Sequence, residues 1–363
     1  MAARPGDVSA VTTVLVVNAG SSSLKLTLLG ADDTVLAKPE SIEDVRGLPA
    51  PDAIGHRIVH GGRDFTGPVL IDGDVERRLR DLVDLAPLHQ PKSINGIDAV
   101  RSVLPGVPEV ACFDTAFHAG LPPAAATYAL PAEWREKYSL RRYGFHGLSH
   151  AYATRRAGEL LGADPAALRI VVCHLGAGAS LCAVAQGRSV DTTMGFTPLE
   201  GLVMATRSGS IDPGMLLWLQ QHADLSPDDL AQALEHESGL LALAGTADMR
   251  RILTRRDADA VLAVEVYLHR LRAQIAAMAS ALNGLDVLVF TGGVGEHAPQ
   301  IRQGCADGLG FLGIALDEAR NEAARSDADI GTTDAPARVL VVTAREDLEI
   351  AAATRRVLRA GAR

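Results

Sequence analysis

Apolar and polar positions along the chain fall into short blocks that predict strands first. In VLVVNAGSSSLKLTLL (14–29) four β-rich apolar residues run into Asn18 and a Gly/Ser loop, and an apolar run then alternates with polar residues. The pattern predicts a β-hairpin whose turn is too rich in glycine and serine to be only a turn. It returns in RIVVCHLGAGASLCAVAQGRSVDTT (169–193), where Asn18 aligns with His174, Gly20 with Gly176 and, after a one-residue insertion, Ser23 with Ser180. A third strand, 286–290, meets Gly292, Gly293 and Gly295 ahead of a helix.

Between these blocks, strands are expected in AIGHRIVHGG, PEVACFDTAFH and ARVLVVTA. Helical spacing marks DVERRLRDLVDL, SHAYATRRAGELL, GMLLWLQQH, AVLAVEVYLHRLRAQIAAMASAL and DLEIAAATRRVLRA. Alternation of strands and helices with added hairpins predicts an α/β fold with mixed sheets. Two similar hairpins in the two halves suggest duplicated domains facing each other across a cleft. No Pro/Gly/Ser tract marks a linker between them.

Composition narrows the function. The 363 residues are 47% hydrophobic and 22% charged, enough for more than one core. A net charge of −9 argues against nucleic acid or an anionic membrane as partner, while local basic groups still allow a small anionic substrate. Cys112, Cys173, Cys182 and Cys305 form no C-x-x-C pair and lie in apolar runs. They read as buried thiols of a reducing compartment, with disulfides or zinc as the minor reading. MAARPGDVSA lacks a signal-peptide core, and AQIAAMASALNGLDVLVF is broken by Gln274, Asn283 and Asp286, so a cytoplasmic protein is expected.

Consecutive small residues let backbone N–H groups converge into an anion-binding nest, and Lys25 adds a point charge. No Walker A motif occurs, and GAGASL lacks the third glycine of a dinucleotide fingerprint, which leaves a Rossmann dehydrogenase as the weaker reading. Arg57 lies in an apolar strand between His56 and His60, His146 in a glycine-bracketed loop, and Arg207 ahead of a Ser-Gly-Ser loop. An arginine so placed needs an anionic partner, either internal or bound. His56/His60 and His146/His150 have a four-residue spacing that suggests metal ligation, but no third ligand accompanies either pair.

NAGSSSLK, GHRIVHGG, APLH, FDTAFH, RRYGFHGLSH, HLGAGAS, PLEGLVMATRSGSIDP and FTGGVGE, in this order, resemble the acetate/propionate kinase family of the sugar kinase–Hsp70–actin superfamily. The resemblance runs from about residue 13 to the C-terminal helix. It implies two duplicated actin/Hsp70-like (ribonuclease H-like) domains with ATP in the inter-domain cleft. These would be an N-terminal acyl-substrate and phosphate-loop domain, 1–118 plus 348–363, and a C-terminal nucleotide-binding and dimerisation domain, 119–347. It further implies a homodimer and in-line transfer of the ATP γ-phosphoryl group to acetate, giving acetyl phosphate and ADP, with propionate or another short-chain carboxylate as the alternative acceptor.

By the same resemblance, Asp114, His146 and Arg207 are catalytic, and Arg57, Val59, Leu88, Phe145 and Pro198 bind the acyl substrate. ATP is assigned to Lys25, to His174, Leu175, Gly176, Ala177 and Gly178, to Asp248, Met249 and Arg250, and to Gly293, Val294, Gly295, Glu296 and His297. Asn18 and Glu346 are assigned Mg²⁺, with Mn²⁺ as a substitute. A carboxylate acceptor is already ionised at neutral pH, so Asp114 is expected to orient an arginine or a metal-bound water rather than to move a proton. The chain departs from the family pattern at Ala177, Ala205, His297 and 344–347, and is short between 30 and 52. A regulator that binds nucleotide without turnover is the other alternative; the retained Arg57, His146 and Arg207 argue against it.

Overall fold

In the first hairpin, β1 (Val14–Ala19) pairs antiparallel with β2 (Leu24–Leu29), which pairs antiparallel with β3 (Val35–Ala37). On its other side β1 runs parallel to β4 (Ala53–Ile58), and β4 parallel to β6 (Glu109–Phe113); β5 (Val69–Leu70) closes the edge antiparallel to β6. The sheet order is β3-β2-β1-β4-β6-β5. This computed structural model describes residues 12–19, 24–83 and 90–361.

A second sheet repeats the first. It consists of β7 (Ile170–Leu175), β8 (Ala179–Ala185), β9 (Arg188–Thr192), β10 (Val287–Thr291), β11 (Ala328–Asp329) and β12 (Arg338–Val341). Read from β9, its order is β9-β8-β7-β10-β12-β11, with the same succession of antiparallel and parallel pairs. Duplication is therefore strand for strand. The register corrects one alignment: Asn18 pairs with Lys25 and His174 with Ser180, so Lys25, not Ser23, is the counterpart of Ser180. The connection 20–23 has four residues and 176–178 has three, so matching serine to serine shifts the register.

Period-two alternation explains the layers of the first sheet. Val14 and Val16 pack with Val110, Cys112, Ile350, Ala351 and Ala353, the last three from the C-terminal helix Glu346–Gly361. Leu15 and Val17 face the other way, into a cluster with Leu26, Leu28, Ile54 and Val100 of the helix Gln90–Val103. With both faces covered, the central strands read as continuous apolar runs.

The expected helices are present as Gly73–Asp81, Gly147–Leu161, Pro213–His222, Ala258–Ala281 and Glu346–Gly361. Gln90–Val103 went unread because Pro91 and Gly96 dilute its helical pattern. Two compact units result. One holds the chain up to Ala119, Gly147–Tyr152 and everything from Arg345 on; the other holds Gly120–His146 and Ala153–Ala344. All four cysteines are buried. Burial pushes the Cys112 and Cys182 thiols up to about 12, which keeps them protonated. Among the described residues no helix is long and apolar enough to cross a membrane.

Candidate functional site

In the first unit the same alternation that fills the core delivers the polar residues. Asn18 follows Val14 and Val16, Arg57 follows Ala53 and Gly55, and Asp114 follows Val110 and Cys112. Each therefore stands at the carboxyl end of its strand on the face covered by the C-terminal helix. That helix begins there with Glu346.

Arg57 is the hub. Its Nε donates to both Asp114 oxygens at 3.1 Å, and Nη2 donates to Oδ2 at 2.6 Å. Nη1 donates to Asn18 Oδ1 at 3.0 Å and lies 3.7 Å from Glu346 Oε2, which accepts from Asn18 Nδ2 at 2.7 Å. Burial alone would lower the Arg57 pKa, but the Asp114 and Glu346 charges outweigh it and raise it. Burial pushes the Asp114 carboxyl upward, against the pull of the guanidinium. With both carboxylates ionised, the cluster carries a net negative charge around one fixed cation. Lys25 is exposed, opposite Asn18 in the hairpin register. Leu88 and the serine loop 20–23 lie outside the described residues. Val59 is buried.

The second unit holds the other group. His146 precedes the helix Gly147–Leu161 with φ 57° and ψ 22°, a left-handed conformation uncommon for a residue with a side chain. Its Nδ1 lies 2.9 Å from Ser180 Oγ, and its ring is 4.4 Å from that of His174. Arg207 Nε pairs with Glu235 at 3.0 Å, while burial holds its guanidinium below the usual arginine value. Gly178 lies against both: a Cβ there would come within 3.3 Å of the His146 ring and 3.6 Å of Arg207 Nη1. The loop backbone is pinned by Gly176 N donating to Gly178 O at 3.0 Å and Ala205 N to Ala177 O at 3.0 Å.

The end of β10 joins this loop through the parallel pairing of Thr291 with His174. Glu296 Oε1 accepts from Gly292 N at 2.9 Å and Ala344 N at 3.0 Å, so this carboxylate ties the Gly292–His297 helix to the segment that follows β12. Gly293 and His297 are exposed, Val294 is partly exposed, and Gly295 is buried. Asp248 caps the helix Met249–Thr254 and holds the exposed Arg250 at 2.9 Å; Met249 is buried. Phe145 and Pro198 are buried in this unit. The histidines suggested as metal ligands are engaged elsewhere: His56 Nε2 meets Glu109 at 2.8 Å, His60 Nδ1 accepts from Gly62 N at 2.8 Å, and His150 stacks edge-on against His118.

Sequence reasoning missed Ser180, Glu235 and Thr291. Glu235 lies on the helix Pro227–His236, too far along the chain from Arg207 to give a local signal. Thr291 is fully buried with an unpartnered Oγ1, and its signal was the strand that ends in Thr-Gly-Gly.

Residues 42–352 match the family model described as the Acetokinase family. The chain belongs to the acetokinase family. It is 49% identical to the acetate kinase of Nostoc punctiforme over 83% of this chain and 75% of that protein. To the acetate kinase of Leifsonia xyli it is 44% identical, over 97% of this chain and 100% of the relative. Its fold matches the crystal structure of Porphyromonas gingivalis acetate kinase, with TM-score 0.89, 35% identity and coverage of 96% and 100%. It matches a propionate kinase from Francisella tularensis equally well, with TM-score 0.89, 35% identity and coverage of 95% and 100%. Acetokinase-family membership makes the chain a kinase that transfers a phosphoryl group to a carboxylate, and implies a nucleotide donor and a divalent cation. Asn18 Oδ1 and the Glu346 carboxylate are hard donors of the kind such a cation takes, held side by side because Asn18 Nδ2 donates to Glu346 Oε2, in a cluster that gathers two carboxylates around one arginine.

Proposed function

We propose that the chain transfers the γ-phosphoryl group of ATP reversibly to acetate, giving acetyl phosphate and ADP. The observation that carries this reading is the packing of Gly178 against His146 and Arg207, a bare backbone loop beside two nitrogen-rich side chains. Such a cradle suits a phosphoryl group that gains no bond from the protein and needs its charge met.

The acceptor carboxylate needs no base. What opposes reaction is the approach of one anion to another, so fixed cations and alignment lower the barrier. Arg57 is the cation for the acyl substrate, and Asp114 holds its guanidinium in one orientation through two parallel bonds. Arg207, oriented by Glu235, and His146, oriented by Ser180, meet the charge of the transferring group. Nucleotide is assigned to Lys25, His174–Gly178, Asp248–Arg250 and Gly293–His297 of the second unit and its hairpin counterpart, with the acyl group at Val59, Leu88, Phe145 and Pro198. Asn18 and Glu346 would hold Mg²⁺, which would neutralise phosphate charge. Among the described residues no cluster of three or more His, Cys, Asp or Glu is placed for a metal. Two protein oxygens would leave the rest of the shell to water and phosphate, a mode that suits magnesium.

The protein is proposed to act in the cytoplasm as a homodimer. The helix Pro213–His222 buries none of its residues and exposes Met215, Leu217 and Trp218, an apolar surface that a second copy would cover. Propionate is the second acceptor, favoured by the equal match to a propionate kinase. One methylene in an apolar pocket discriminates by only ~1–3 kcal/mol. Hydroxamate trapping of acyl phosphate, with acetate, propionate and butyrate against ATP, GTP and pyrophosphate, tests the reading. Acetate with ATP is expected to be the fastest pair, and inactivity with every pair overturns the reading. Gly178→Ala is expected to lose at least tenfold in turnover with its melting temperature nearly unchanged.

A further inference from the structure

The last two turns of the C-terminal helix carry a basic site with no part in the cluster at its start. Arg355, Arg356 and Arg359, with Ala31, Ala352 and Ala360, line an open cavity of about 660 Å³ within the first unit. At 1.5 Å per residue, Arg356 lies ~15 Å along the helix from Glu346.

Arg355 is the anchored member. Its Nη1 donates to Asp33 Oδ1 at 2.6 Å and its Nη2 to Gly30 O at 2.6 Å, both in the β2–β3 turn. Its side chain is 9% exposed, and its buried Nε has no partner. Asp33 adopts φ 63°, so the turn that anchors Arg355 is itself held in a left-handed conformation. Arg356 and Arg359 are exposed, and neither makes a hydrogen bond or ion pair with a described residue. The carboxylates of the β2–β3 turn are Asp33, already paired with Arg355, and Asp32, held by Thr34 at 2.7 Å, while Glu349 acts with Arg356 on the Cys112 thiol from the preceding turns of the helix. Three guanidinia and no carboxylate line the cavity, a locally basic patch in a chain whose net charge is −9.

We propose that this cavity binds a small, multiply charged phosphate anion, separately from the phosphotransfer site. Guanidinium forks match phosphate oxygens in pairs, and the two unpaired forks stand one helical turn apart. Three alanines leave the floor clear, and the volume is that of a small-ligand site. The ligand could be an inorganic polyphosphate or the phosphate of an organic metabolite; the chemistry recognised is the same.

Hydrogen exchange of the full chain, read by mass spectrometry, locates the binding, with tripolyphosphate and glycerol 3-phosphate as separate probes. Tripolyphosphate is expected to slow exchange in residues 30–34 and 355–361, and protection by glycerol 3-phosphate as well extends the ligand class to organic phosphates. In Arg356→Ser/Arg359→Ser that protection is expected to vanish and calorimetric affinity for the event to fall at least tenfold. Both side chains are exposed, and Arg356→Lys/Arg359→Lys serves as a folded control that keeps charge but loses the forks. Unchanged exchange in those segments of the wild type, or equal protection in the serine variant, overturns the proposal. Either result leaves the phosphotransfer reading intact, because none of these residues belongs to it.

Discussion

Arg57 and Asp114 depend on each other unequally. Asp114 is 1% exposed, so removing the guanidinium strands a buried carboxylate, whereas removing the acid leaves a cation still facing Asn18 and Glu346. Arg57→Ala is therefore expected to lose ~3–5 kcal/mol of stability along with activity. Asp114→Asn should lose most of its turnover with a much smaller stability loss, because it unlocks Arg57 without stranding a charge. Denaturant titration and acyl phosphate assays on the two variants check the contrast; near wild-type turnover in Asp114→Asn would remove that residue from the mechanism. These residues were legible in the sequence because each interrupts an apolar run where a strand should end. Glu235 and Ser180 were not, since their roles depend on which side chain the fold brings to them.

At the scale of elements, the C-terminal helix approaches the first sheet closely at Gly55. A Cβ there would lie 2.5 Å from Thr354 Oγ1 and 2.6 Å from Ile350 Cγ2, and Thr354 Oγ1 already donates to Ile350 O at 2.8 Å. Gly55→Ala is expected to cost ~1–3 kcal/mol, measured by chemical denaturation, because the helix must move off the sheet. The same movement carries Glu346 away from Asn18, so turnover should fall as well. Strand pairing was readable from the repeated hairpin, but the register was not. The pairing of Asn18 with Lys25 and of His174 with Ser180 makes Lys25 the equivalent of Ser180 in the duplication, and only the hydrogen-bonded ladder reveals it.

For the whole molecule, acid stability is expected to depend on His60, whose pKa burial lowers to about 4. The folded value lies below the unfolded one of about 6.5, so the unfolded chain binds the extra proton between these limits. Stability is full above that range and falls as pH drops through it, by about 2 kcal/mol at pH 5. Denaturation at pH 7 and pH 5 should show the loss in the wild type and a flatter dependence in His60→Gln. For the assembly, Trp218→Asp is expected to shift a dimer toward monomer in sedimentation; an unchanged mass would place the interface elsewhere. No linker could be found in the sequence because there is no single one. The chain passes between units at Ala119, His146, Tyr152 and Ala344, in a turn, in two short irregular stretches and within a helix, none of which composition marks.

The return of the chain at Arg345 also sets an order on biosynthesis. Val14, Val16, Val110 and Cys112 are translated before the second unit, whereas Ile350, Ala351 and Ala353, which cover them, are translated after it. That face of the first sheet therefore lacks the Glu346–Gly361 helix on the ribosome until the chain has passed through the second unit. A nascent chain stalled before that point would carry the polar strand ends with no Glu346 to meet them, and an oily β-surface open to its neighbours on the same message.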